Sequence, residues 1–100
     1  MAEKLSNIHP GEVLLEEFLK PLGISQNKAA SRLGVTPRRI NEIILGRRGI
    51  TADTAIRLAY CFGTSEEFWM GLQDDYELEE IGPTLRDSLK ETIRPFHSQA

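Results

Sequence analysis

The sequence predicts an all-α fold. No segment alternates apolar and polar residues with the period of two that marks a half-buried strand. Apolar residues instead recur at three- and four-residue spacings, and Ser, Thr, Pro and Gly stand where helices start and stop. With 100 residues, 40% of them hydrophobic, the chain has the size of one small domain with one core.

Each element follows from local signals. A first helix is expected over about Gly11–Lys20. Pro10 suits its first turn, Glu12 complements the dipole, Leu14, Leu15, Phe18 and Leu19 face inward, and Pro21 is read as its stop. The second, about Gln26–Leu33, has Ser25 as N-cap and Ala29, Ala30 and Leu33 on its apolar face. The third, about Pro37–Leu45, has Thr36 as cap, Pro37 at the first helical position, Ile40, Ile43 and Ile44 inward, and Gly46 at its end. The fourth starts at the Thr51 cap, buries Ala55, Leu58, Ala59 and Phe62, and ends at Gly63. The fifth starts at the Ser65 cap with Glu66 and Glu67 in its first turn and Phe68, Trp69, Leu72 and Tyr76 on one face. A separate sixth helix is expected from Pro83-Thr84, with Leu85, Leu89 and Ile93 in a narrow stripe that suits packing on the body or on a second subunit. Pro95 ends it, and the last five residues are expected to be disordered. This divides the chain into an N-terminal arm (1–10), a five-helix domain (11–80) and a C-terminal helix with tail (81–100).

Helices two and three carry the functional signal. They are short, joined by a tight turn at Gly34, and the second of them opens with two arginines, which is the layout of a helix-turn-helix. Such a motif places side chains at the start of its second helix against base edges in a DNA major groove. Arg38 and Arg39 are the leading candidates, each able to donate twice to guanine O6 and N7 or to hold a phosphate. Asn41, one turn along, suits adenine or the DNA backbone; Thr36 suits a phosphate or base edge; Arg47 and Arg48 suit phosphate. Glu42 suits either an N4 donor of cytosine or a pairing with Arg38 or Arg39 within the helix, the second reading being favoured. Lys28 and Arg32 are secondary, Arg32 being solvated or paired with Glu16 or Glu17.

The net charge of −3 is strongly polarised. From Lys28 to Arg48 there are six bases and one acid, whereas from Glu66 to Glu80 there are seven acids and no base. One face suits phosphate, and the other reads first as a solvated helix face and second as a docking surface for a basic partner. A single cysteine, Cys61, excludes an intrachain disulfide and is expected as a buried structural thiol. No apolar run suits a signal peptide or membrane span, so a soluble cytoplasmic protein is expected. His9 and His97 stand far apart without ligand partners, no glycine-rich phosphate loop is present, and Phe68-Trp69 fits core or subunit rim better than a ligand cage. No metal, cofactor or catalytic role is therefore expected, and His9 reads as a helix-starting residue.

Gln26, Ala30, Gly34, Ile40 and Ile43 stand at spacings that resemble the Cro/C1-type (XRE-like, lambda-repressor-like) helix-turn-helix domains of phage repressors, over about Glu12 to Tyr76. A narrower likeness lies in HPGE at His9–Glu12, FW at Phe68-Trp69 and LQDDYEL at Leu72–Leu78, which resemble the HigA (VapI-type) antitoxins. The resemblance implies a five-helix DNA-binding domain with a C-terminal helical extension and a repressor of its own operon. It also implies a partner toxin, the small basic ribonuclease HigB. It further implies that Gln26 touches the DNA backbone and buttresses the first recognition residue, and that Pro37 stands where some relatives read a base, limiting contact there to an apolar one such as a thymine methyl. So small a domain predicts a homodimer on a pseudo-palindromic operator, with half-sites about 34–36 Å apart. Two alternatives remain from the sequence: a stand-alone transcriptional regulator without a toxin, and a protein-interaction module whose helix-turn-helix has lost DNA.

Overall fold

The computed structural model describes residues 7–96, and every regular element among them is helical. Helix α1 comprises Pro10–Val13, a wider π-helical stretch Leu14–Leu19, and Lys20–Leu22. Helices α2 (Gln26–Leu33), α3 (Pro37–Ile44), α4 (Ala52–Phe62) and α5 (Glu66–Thr92) follow. Leu14, Leu19, Ala29, Ala30, Leu33, Ile40, Ile43, Ile50, Ala55, Leu58 and Trp69 form one core shared by all five.

The caps fall where the residue types place them. The hydroxyls of Ser25, Thr36, Thr51 and Ser65 accept from the backbone N–H three residues on, at 3.0, 3.1, 3.4 and 3.0 Å. Gly34, Gly46 and Gly63 take left-handed conformations at the ends of α2, α3 and α4.

Two prolines behave otherwise than expected. Pro21 does not stop α1, which continues to Leu22 and ends at left-handed Gly23, where the Ile24 N–H donates to Leu19 O at 2.9 Å. In a regular helix the proline ring collides with the carbonyl four residues back. Here the Lys20 N–H reaches five residues back to Leu15 O, and the wider turn leaves room for the ring that follows. Nor does Pro83 start a separate helix: α5 runs through it for 27 residues. A residue before proline is disfavoured in helical geometry by clashes of the ring with its N–H and its Cβ, and the residue here, Gly82, lacks the Cβ. The Arg86 guanidinium lies over Gly82 where that Cβ would stand. The C-terminal extension is thus a continuation of α5. Of the expected stripe, Leu85 and Ile93 are exposed and Leu89 is half-buried, and Leu78 and Ile81 on the turns before it are exposed as well. Cys61 is likewise exposed rather than buried, because it lies at the margin of the α4 face defined by Ala55, Leu58 and Ala59. His97 and the residues after it lie outside the described residues.

The HPGE segment has a physical basis. His9 is the N-cap of α1, its Nδ1 accepting from the Gly11 N–H at 2.9 Å, and its ring meets Tyr76 of α5 edge-on at 4.7 Å. Pro10 occupies the first helical position, and Gly11 lies against the backbone of α3 at Ile43 and Ile44. Asn7, in the preceding arm, donates to Tyr76 O at 2.9 Å.

The His9 cap requires an unprotonated Nδ1. Burial lowers the imidazole pKa from its ordinary 6.5, against a smaller opposing effect of Glu12. The unfolded chain therefore takes up this proton first as the pH falls. The stability involved is complete above about pH 6.5 and is lost as the pH falls toward the lowered native value. Melting temperatures are expected to fall as the pH drops below about 6.5. His9→Asn keeps a capping side chain and should flatten that slope; an unchanged slope would show that His9 is not the titrating group.

Candidate nucleic-acid interface

Helices α2 and α3 pack through Ala30, Leu33, Ile40 and Ile43, with Gly34 at the turn. Their outer faces carry the residues singled out in the sequence. Thr36 and Pro37 are exposed at the start of α3; Pro37 has no N–H and Thr36 caps that of Arg39, which leaves the Arg38 N–H of the first turn facing outward. The Arg38 side chain is 84% exposed and that of Arg39 only 30%. Asn41 is exposed, and its Nδ2 donates to Gln26 Oε1 at 3.2 Å, so the start of α2 is linked to the middle of α3 by a side-chain bond. Arg47 and Arg48 are exposed in the loop after α3. Lys28 and Arg32 are exposed on α2; Arg32 has no carboxylate partner among the described residues, and Glu16 engages Lys20 instead at 2.9 Å.

Two carboxylates organise four of the arginines. Glu42 Oε2 accepts from Arg38 Nε at 2.9 Å, and its Oε1 accepts from Arg48 Nε and Nη2 at 2.9 and 2.7 Å. Glu42 therefore pairs within the helix with Arg38, as one of the expected readings had it, but not with Arg39; its second partner comes from the following loop. Asp53 Oδ1 accepts from Arg57 Nε at 2.7 Å and from Arg39 Nη1 at 3.0 Å. The hydrogen bonds from Arg38 and then Arg48 hold Glu42 below the ordinary carboxylate range, and those from Arg57 and then Arg39 do the same for Asp53.

Arg57 and Asp53 were not among the sequence candidates. Arg57 Nη1 donates to the carbonyls of Leu33 and Gly34, at 2.9 and 3.3 Å, satisfying the C-terminal end of α2 at the motif's turn. Asp53 and Arg57 are four apart on α4, a legible helical pair; their reach to α2 and α3 is tertiary and has no local signal. Gln73 was missed as well. It is buried, its Oε1 accepts from the Ile50 N–H at 2.7 Å, and its Nε2 donates to Glu77 at 2.7 Å, tying the loop after α3 to α5.

The remaining chemistry is sparse. Among the described residues no group of three or more His, Cys, Asp and Glu side chains is placed to hold a metal ion. No described helix is long and apolar enough to cross a membrane. What the arrangement offers is a capped helix start, with the Arg38 N–H left over, ringed by arginines, a threonine and an asparagine. That is an anion-binding surface with directional donors.

Comparison with known proteins points the same way. A helix-turn-helix family, HTH_3, matches residues 15–69. Virulence-associated protein I of Dichelobacter nodosus is 53% identical over 72 residues, covering 72% of this chain and 67% of its own. The solved structure of Pseudomonas aeruginosa antitoxin HigA with higBA promoter superposes with a TM-score of 0.86 at 40% identity, covering 92% of this chain and all of that one. The antitoxin GraA in complex with its operator superposes with a TM-score of 0.85 at 35% identity, over 98% of this chain and 99% of that one.

Proposed function

The chain belongs to the HTH_3 helix-turn-helix family, and from that membership we propose that it is a sequence-specific DNA-binding antitoxin, which represses its own operon as a dimer and neutralises a HigB-like ribonuclease toxin. The observation that carries this reading is the near-complete superposition on two antitoxins solved on promoter or operator DNA, at 35–40% identity. The Cro/C1-type fold and the arginine-bearing start of α3 support it. A DNA-binding regulator of this kind needs no catalytic machinery, and it works where operator DNA is, in the cytoplasm.

Residues 11–80 make the DNA-binding unit and 81–100 the extension. Thr36, Pro37, Arg39, Asn41 and Glu42 meet the major groove, Arg38 meets the DNA beside it, and Gln26, Arg47 and Arg48 engage the backbone. Two copies meet along the exposed α5 stripe of Leu78, Ile81 and Leu85, which the monomer leaves uncovered. The exposed acids of α5, Asp74, Asp75, Glu77, Glu79 and Glu80, complement a basic toxin.

The test is co-expression with the adjacent small basic reading frame, scored by growth rescue and co-purification, together with binding to upstream DNA across a salt series. Rescue with a stable complex, and an affinity that falls by about 10³–10⁵ between 50 and 200 mM salt for six to ten phosphate contacts, are expected. DNA binding without rescue would reduce the protein to a stand-alone regulator. Rescue with no or salt-independent DNA binding would make it an interaction module.

A further inference from the structure

We infer that Asp53 is a specificity-determining positioning residue, which holds Arg39 as the base-reading arginine and leaves Arg38 to the phosphates. The inference rests on the DNA-binding reading above and goes beyond it by separating two neighbouring arginines that the sequence treats alike.

The separation comes from how each guanidinium is held. Arg39 Nη1 is engaged twice, by Asp53 Oδ1 at 3.0 Å and by Thr54 Oγ1 at 3.4 Å. Both anchors are themselves secured. Thr54 is buried and its hydroxyl lies 3.4 Å from that of Thr51. Asp53 is gripped by Arg57, which also donates to the carbonyls of Leu33 and Gly34. A closed path of hydrogen bonds thus runs from the turn of the motif, through Arg57 and Asp53, to Arg39 at the start of α3. Arg39 Nε and Nη2 have no partner among the described residues. They are the parallel pair of donors that guanine O6 and N7 accept. The conformational freedom that a loose arginine loses on reading a base is already lost here.

Arg38 is held differently. It projects almost fully into solvent, and its only tie among the described residues is the surface pair of its Nε with Glu42 on the same helix. Such pairs are weak and exchange readily for another anion. The Asp53 carboxylate also repels phosphate that approaches off register, so it weakens binding to wrong sequences as well as orienting the arginine for the right one.

The experiment uses the full-length protein, a duplex that the wild type selects from a random pool, and a scrambled duplex of the same length. Asp53→Asn is expected to bind the scrambled duplex as well as the wild type or up to about threefold better, since a negative charge is gone. Its preference for the selected duplex should fall about tenfold, the discrimination expected of one bidentate arginine–guanine contact. The loss should fall on one base pair in each half-site, the same one relaxed by Arg39→Ala. Combining the two changes should relax it no further than Arg39→Ala alone. Arg39→Lys, which keeps the charge but not the parallel donors, gives a second route should Asp53→Asn prove unstable; it should relax the same base pair and leave scrambled binding within about twofold. Unchanged preference in either folded variant, or weakening by the same factor on both duplexes, would overturn the inference while leaving DNA binding intact. A wild type that selects no sequence would overturn both readings.

Discussion

Trp69→Ala is expected to destabilise the protein by about 3–5 kcal/mol, the cost of deleting a buried aromatic side chain from a core. Trp69 is fully buried, packs against Phe18 and Phe68 with centroid separations of 5.1 and 5.0 Å, and donates through Nε1 to Thr64 Oγ1 at 2.7 Å. Removing it leaves a cavity between α1, α4 and α5 and strands the threonine hydroxyl. A domain of this size has about 5–15 kcal/mol in total, so the variant loses a large share of it. Circular dichroism is the readout, because Trp69 is the only tryptophan and its fluorescence goes with it. The melting temperature should fall by about 4–8 °C for each kcal/mol lost. Trp69→Phe should recover part of that, lacking the hydrogen bond to Thr64 and the volume of the second indole ring. A Trp69→Ala melt within a few degrees of the wild type would mean that this side chain does not carry the core.

Gly11→Ala is expected to cost about 3 kcal/mol, at the upper end of overpacking effects. An alanine in a helix is ordinarily the more stable residue by about 0.5–1 kcal/mol, so the sign itself is diagnostic. At Gly11 the added Cβ would overlap the Ile43 carbonyl oxygen and lie 2.6 Å from the Ile43 carbonyl carbon and 2.9 Å from Ile44 Cα. All three atoms are backbone, so no rotamer change relieves the clash, and α1 and α3 must move apart. Because α3 presents the arginines, operator affinity should fall at temperatures where the variant remains folded. Chemical denaturation, with operator binding measured well below the midpoint, separates the two effects. A Gly11→Ala protein as stable as the wild type would show that the two helices do not approach this closely.

These two sites also show what was legible in the sequence. The apolar face of α5, with Trp69 at its centre, follows from helical spacing alone. Gly11 carries no local signal, since nothing nearby in sequence says that another helix will lie on it. The same division runs through the fold. Caps at Ser25, Thr36, Thr51 and Ser65 and stops at Gly34, Gly46 and Gly63 depend on adjacent residues and could be read directly. Pro21 and Pro83 were read by the same local rule and misjudged, because a π turn and a preceding glycine suspend it. At the candidate interface, the position of Arg38 and Arg39 was legible from the motif. Which carboxylate holds each was not: Glu42 lies four residues from Arg38, but Asp53 lies fourteen from Arg39 and on another helix.

The unbroken course of α5 through Pro83 bears on operator architecture. A 27-residue helix is about 40 Å of stiff rod, and where two copies meet along it, as proposed above, a rod joining two reading heads behaves unlike a swivel. Inserting one base pair between half-sites turns the second by roughly 35° about the duplex axis and shifts it along that axis. A hinge at residue 82 would absorb such a change of phase. A continuous strut transmits it to the distant α3, where the donors fall out of step with the base edges. In such a dimer, tolerance for spacer length is set far from the DNA, by whether the backbone bends at one glycine–proline step.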